Sequence, residues 1–136
     1  MGSMELSDQL QLDFKKLDTC FGMDAVPVVV QHVETKAVLI LAYVNSQALN
    51  ESIKQKRAVF WSTSRNELWV KGATSGDYLE LHEIRVNCEQ NSLLFLVKPV
   101  TGGVCHTRTE SGQARSTCYY RSVNDDYSLG MINDVS

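Results

Sequence analysis

A chain of 136 residues with 43 % apolar and 21 % charged side chains suits one globular domain with a core of its own. Its net charge of −3 leaves no basic surface to hold nucleic acid, and its longest apolar run, residues 37–44, is too short to span a bilayer. The first residues lack the charged-then-apolar pattern of a signal peptide, so a cytoplasmic location is expected; residues 1–3 read as a cloning remnant before a start at Met4.

Leu6, Leu10, Phe14 and Leu17 recur at helical spacing, which predicts an amphipathic helix over residues 5–17. The β-branched runs 26–33 and 36–44 predict a hairpin turning at Glu34 and Thr35. Asn45 or Ser46 can cap a short helix through Gln55, with Ala48, Leu49 and Ile53 facing inward. "AVFWSTS" and "LWVKG" predict a second hairpin around residues 65–67, in which Trp61 and Trp69 would pair across the strands. "DYLELHEIRVNC" and "SLLFLVKPV" predict a third. Its inward positions change parity near His82 and Glu83, the mark of a bulge. Beyond Pro99 a loop is expected, and beyond Val123 a polar, frayed tail over residues 124–136. About six strands and two helices result, mainly β (α+β), antiparallel and without a βαβ repeat.

Four cysteines, Cys20, Cys88, Cys105 and Cys118, form no close-spaced pair. Spacing alone leaves buried thiols and metal ligands both open. Cytoplasmic cysteines are rarely disulfide-bonded, and Cys105 and Cys118 lie in a polar loop, as ligands would. Cys88 stands among Asn87, Glu89 and Asn91, whose side-chain oxygens recur at alternate positions. Three thiolates with an open fourth position would be the pattern of a catalytic zinc. His106 directly follows Cys105; a solvated loop residue, a ligand and a general base are all open for it. Ser62, Ser64, Arg65, Lys71, Thr74 and Ser75 collect hydroxyls and two cations in one segment, with Gly72 and Gly76 admitting close backbone approach. Such a set suits phosphate, against the alternative of a hairpin with a polar solvent face.

Taken in order, these segments resemble the phosphoribosyl-AMP cyclohydrolase family. The resemblance runs from about Val26 to Arg121. It is carried by "VPVVVQHVETKAVLILAYVNSQAL", "WSTSRNELWVKGATSG", "VNCEQNSLLFLV" and "CHT" followed by "STCYYR". It implies a single such domain over residues 4–123, with no fused second activity. The implied fold is an antiparallel β-rich pseudo-barrel of hairpins capped by helix, and the implied assembly a homodimer.

The resemblance also implies zinc on Cys88, Cys105 and Cys118, with one ligand supplied across the dimer. Magnesium would lie at Asn87, Glu89 and Asn91, and a nucleotide would be held by Trp61, Ser62, Ser64, Arg65, Lys71, Thr74 and Ser75. The implied reaction is hydrolytic opening of the adenine ring of phosphoribosyl-AMP at N1–C6, in histidine biosynthesis. Water activated by zinc would be the nucleophile, with His106 as the proton-transfer residue. The alternatives are a paralogue hydrolysing another nucleotide or heterocycle, and a zinc-stabilised dimer that binds nucleotide without turnover.

This chain departs from the family pattern at five points. Asn87, Glu89 and Asn91 stand where the family has three aspartates, Ala73 replaces an acid, and the loop between Cys105 and Cys118 is about six residues longer. Zinc is therefore expected to be retained, and magnesium to be weak or absent.

Overall fold

The computed structural model describes Leu12 and residues 24–132. The predicted helix 5–17, except Leu12, and Cys20 lie outside the described residues; Leu12 itself packs against the core. The elements are β1 (Val26–His32), β2 (Val38–Val44), α1 (Ser46–Gln55), β3 (Val59–Ser62), β4 (Glu67–Val70), β5 (Leu79–Val86), β6 (Leu93–Pro99), β7 (Arg121–Val123) and β8 (Leu129–Met131). The fold is mainly β with helix packed on it, as the sequence implies, and the sheets do not close into a barrel. No helix among the described residues is long and apolar enough to cross a membrane.

β1 to β2 and β5 to β6 are antiparallel, and they join in one sheet of order β2-β1-β6-β5. The central pair, β1 and β6, is parallel, a departure from the all-antiparallel expectation. Side-chain periodicity carries no information about the direction of a neighbour that is distant in sequence. Val26, Val28 and Val30 of β1 and Leu93, Phe95 and Val97 of β6 supply the buried face. Pairing with β6 begins at Val28, so Pro27 sits where only β2 runs alongside and its missing N–H is tolerated. The predicted bulge is present: the β5–β6 register shifts between Leu81 and Glu83.

α1 begins at Asn45, whose side chain accepts the Ala48 N–H at 2.8 Å, and ends on Lys56 in the left-handed region. Ala48, Leu49 and Ser52 are its buried residues, whereas Ile53, expected inward, is 51 % exposed. Ser52 takes the inward position because its hydroxyl is satisfied there. It donates toward the carbonyls of Ala48 (2.9 Å) and Val59 (3.0 Å) and accepts the Val59 N–H (2.9 Å), which ties α1 to β3.

β3 and β4 form the second hairpin, but its register pairs Phe60 with Trp69 and Trp61 with Leu68. The expected Trp61–Trp69 pair is therefore replaced by Phe60 against Trp69, ring centroids 5.4 Å apart, with Phe60 also stacked on Phe95. A four-residue turn ending on Asn66, at φ 56°, sets this register. Trp61 thereby points to the opposite face of the hairpin from Phe60, where it stays partly buried at the edge of the core.

The expected frayed tail is also corrected, for β7 and β8 form a short hairpin. Asp126 accepts the Ser128 N–H and hydroxyl in its turn, and Asn124 N–H bonds the Ser128 carbonyl at 2.8 Å. Its strands are three residues each and mostly exposed, too short to leave an alternating apolar pattern in the sequence.

Candidate functional site

The segment after β4 turns sharply at Gly72, at φ +92°. A Cβ there would lie 2.4 Å from the Asp77 carbonyl carbon and the Tyr78 nitrogen, so only glycine lets residues 71–77 fold back on themselves. That fold-back sets Lys71, Thr74, Ser75 and Asp77 along one wall of a cavity of about 290 Å³. Gly72→Ala is expected to destabilise the protein by about 2–4 kcal/mol, read as a lower thermal midpoint, because strain and a backbone clash add.

The opposite wall comes from the loop after β6. Val104 and Cys105 donate their N–H groups to the Arg115 carbonyl, both at 2.9 Å, and Cys118 N–H donates to Leu39 of β2 at 2.8 Å. Thr117, buried, donates its hydroxyl to the Val38 carbonyl at 2.8 Å. These bonds bring Cys105 and Cys118 into the same cavity, with the two thiols hydrogen-bonded to each other and His106 on its rim.

The two thiols sit in different electrostatic settings. Burial alone would raise Cys105. The Thr107 hydroxyl (2.9 Å) and backbone N–H (3.4 Å), the Cys118 thiol and the Arg115 charge together hold it below the ordinary cysteine value. Burial pushes Cys118 up to about 12, with neighbouring Cys105 adding to the rise and Lys71 opposing it. Lys71 is itself buried, and desolvation lowers its ammonium against the pull of Asp77 and the cysteines. The site thus sets a thiol held below its ordinary value beside one pushed well above it, with the Lys71 cation near both. Two soft donors in contact suit a thiophilic cation such as zinc.

The sequence-derived binding residues divide between two adjoining recesses. Lys71, Thr74 and Ser75 line the cavity with the cysteines, while Trp61, Ser62, Ser64 and Arg65 line a neighbouring recess with Leu41 and Tyr43. Trp69 and His106 border both, so the two are continuous across His106. Ser62 Oγ accepts the Arg65 N–H at 3.2 Å, which shapes that turn, and Arg65 pairs with Glu67 at 3.6 Å.

Cys88 is not in this cavity. It is exposed on the turn between β5 and β6, and among the described residues no three His, Cys, Asp or Glu side chains gather to hold a metal. Asn87 organises that turn: its Oδ1 accepts the N–H groups of Asn91 (2.9 Å) and Ser92 (3.0 Å), and its Nδ2 donates to Asn91 Oδ1 at 2.6 Å. Both amide oxygens are thus engaged within the turn, and Glu89 supplies its one carboxylate. This set does not fit magnesium, which favours anionic oxygens free to coordinate.

Three residues of the site escape sequence reasoning. Asp77 and Arg108 line the cavity, and Arg115 stacks over Tyr120 at 4.2 Å with its buried Nε unpartnered among the described residues. The first was legible as an acid just past the Gly72–Gly76 turn. The two arginines had no signal, since only the folding of the Cys105–Cys118 loop turns them toward the site.

The family model of phosphoribosyl-AMP cyclohydrolase matches residues 40–120. A phosphoribosyl-AMP cyclohydrolase of Chloroherpeton thalassium is 42 % identical over 109 residues, covering 80 % of this chain and 73 % of the relative. That of Chlorobium phaeovibrioides is 37 % identical over 135 residues, covering 99 % and 91 %. A histidine biosynthesis bifunctional protein of Pasteurella multocida is 37 % identical over 112 residues, covering 82 % of this chain and 50 % of its own length. The matched span holds β3, β4, both cavity cysteines and His106, so likeness and geometry meet on the same residues. The chain belongs to the phosphoribosyl-AMP cyclohydrolase family, a family of hydrolases.

Proposed function

We propose that the protein is a zinc-dependent cytoplasmic enzyme of histidine biosynthesis that opens the adenine ring of phosphoribosyl-AMP between N1 and C6. The observation that carries this reading is the cavity itself, where a contacting thiol pair, His106 and the Lys71–Ser75 wall converge. Cys105 and Cys118 would hold the zinc together with Cys88. When bound, zinc supplies the Lewis acidity that makes water a competent nucleophile near neutral pH.

This chain's residues do the rest. Lys71 and the Thr74 and Ser75 hydroxyls hold a phosphate at one end, and Ser62, Ser64 and Arg65 line the recess that takes the base. Trp61 and Trp69 line that recess and give it apolar walls for the base. His106, at the junction, accepts a proton from the attacking water as its oxygen bonds to C6, and returns one to N1 as the N1–C6 bond breaks. Hydrolysis of synthetic phosphoribosyl-AMP, followed by absorbance, is the direct test, with rescue of a histidine auxotroph as its cellular form. Failure of both, in protein shown to be zinc-loaded, would sink the reading.

The same proposal includes a homodimer that completes each zinc site. Two observations support it. Cys88 is exposed away from the cavity cysteines, and the nearby sheet surface carries an open groove lined by Val29, Val38, Val86, Leu93 and Leu94. Val38 is 46 % and Val86 42 % exposed, apolar area that a second copy would cover. Light scattering is expected to give a dimer that weakens after a strong chelator; a monomer binding zinc tightly would overturn it.

Magnesium, in this reading, is weak or absent at Asn87, Glu89 and Asn91. Calorimetric titration of zinc-loaded protein is expected to show no stoichiometric Mg²⁺ binding in the micromolar range. Tight binding would mean that the Asn87–Asn91 clasp opens for the ion.

A further inference from the structure

The loop between Cys105 and Cys118 has a fold of its own. Arg108 and Ala114 form an antiparallel bridge, Thr109 N–H donates to the Gln113 carbonyl at 2.8 Å, and Gly112 N–H donates back to Thr109 at 2.9 Å. Arg115 N–H closes its base on the Thr107 carbonyl at 3.1 Å. The hairpin lies down on the turn after β6: a Cβ on Gly103 would sit 2.7 Å from Ala114 Cβ. A glycine at 103 thus permits the approach that brings Arg108 to the site.

Arg108 is held there by a bond of its own, Nη1 to the Gly112 carbonyl at 3.0 Å. That bond fixes the guanidinium while leaving most of its donor fork for a ligand. The side chain lines the cavity with Lys71, Thr74 and Ser75, and it also lines a second polar recess of about 580 Å³ with Ser75, Thr101, Thr109 and Gln113. Asp77 borders both spaces, but its Oδ1 accepts the Thr101 hydroxyl at 2.5 Å and Lys71 offsets its charge. The Thr101 hydroxyl proton is thus spent on Asp77, and what the second recess offers a phosphate is the Arg108 guanidinium fork, the Ser75 hydroxyl and the Gln113 amide.

We propose that Arg108, with the recess behind it, is a second anion subsite that takes a phosphate distinct from the one held by Lys71, Thr74 and Ser75. The inference rests on the nucleotide reading above and sharpens it: the hairpin makes the site selective for a nucleotide carrying two separated phosphates over one carrying a single phosphate. A single Lys71-centred site would bind both kinds through the same group and discriminate little.

The test is calorimetric titration of the dimeric, zinc-loaded protein with phosphoribosyl-AMP and, separately, with AMP. It is done in the His106→Ala background so that turnover does not interfere. Arg108→Gln removes the charge, while the backbone bonds of Thr109 with Gly112 and Gln113 and of Arg115 with Thr107 keep the hairpin folded. It is expected to weaken phosphoribosyl-AMP binding by about tenfold, and AMP binding by less than about threefold. Arg108→Lys should regain part of the loss, because it restores charge without the fork. Unchanged phosphoribosyl-AMP affinity in Arg108→Gln would overturn the subsite and leave the nucleotide reading standing. Equal losses for both ligands would put Arg108 on the shared phosphate and overturn the assignment to a second one. Absence of binding of either nucleotide to the Arg108-intact protein would overturn the nucleotide reading and this subsite with it.

Discussion

His106→Ala is expected to lower turnover of phosphoribosyl-AMP by about 10²–10⁴-fold, the range for loss of a positioned general acid–base group. The residue borders both the thiol cavity and the Trp61–Arg65 recess, the one side chain of its chemical type to do so. It is exposed, and its neighbours Cys105 and Thr107 are held by backbone bonds that do not use the imidazole. Removal should therefore leave the fold, the zinc content and the substrate KM nearly unchanged while kcat falls. Steady-state kinetics with metal analysis separates the outcomes. Loss of zinc together with activity would make His106 a ligand, and near-normal kcat would remove it from the chemistry.

Cys88→Ser and Cys118→Ser should each be inactive and zinc-depleted, yet a mixture of the two should regain activity. In a mixed dimer, the cavity of the Cys88→Ser chain keeps Cys105 and Cys118 and receives an intact Cys88 from the other chain. The second cavity lacks two thiols and stays dead. With random exchange of subunits half of the dimers are mixed, so about a quarter of all sites should recover, given a twofold dimer with two equivalent sites. Neither substitution should unfold the protein: Cys88 is exposed on a turn that Asn87 holds, and Cys118 is anchored through its backbone to Leu39 and by Thr117. Mixtures that stay inactive after verified subunit exchange would show that each cavity draws its ligands from its own chain.

Local features of the fold were legible where the signal was local. The Asn45 cap, the bulge between Leu81 and Glu83, and the turn after His32 all follow from residues within a few positions of one another. The same holds for the motif-bearing residues of the cavity, since Lys71, Thr74 and Ser75 belong to one turn and Cys105 and His106 are adjacent. Misreadings arose where a neighbour or a register decided the outcome. Trp61 lost its partner because the four-residue turn pairs Phe60 with Trp69, and Ile53 lost its inward place to a serine whose hydroxyl Val59 satisfies.

The sequence by itself determined the class of fold, the helix and hairpin positions and the family, because alternation, caps and ordered motifs are properties of short stretches of chain. Tertiary structure alone decided the parallel pairing of β1 with β6, the union of Cys105 with Cys118 and Lys71, and the separation of Cys88 from all three. It also decided that Arg108, though exposed, lines the cavity from a hairpin whose approach depends on Gly103. Each of these is a contact between distant segments. Its geometry is set by the packing of the intervening chain, which no pattern of neighbouring residues encodes.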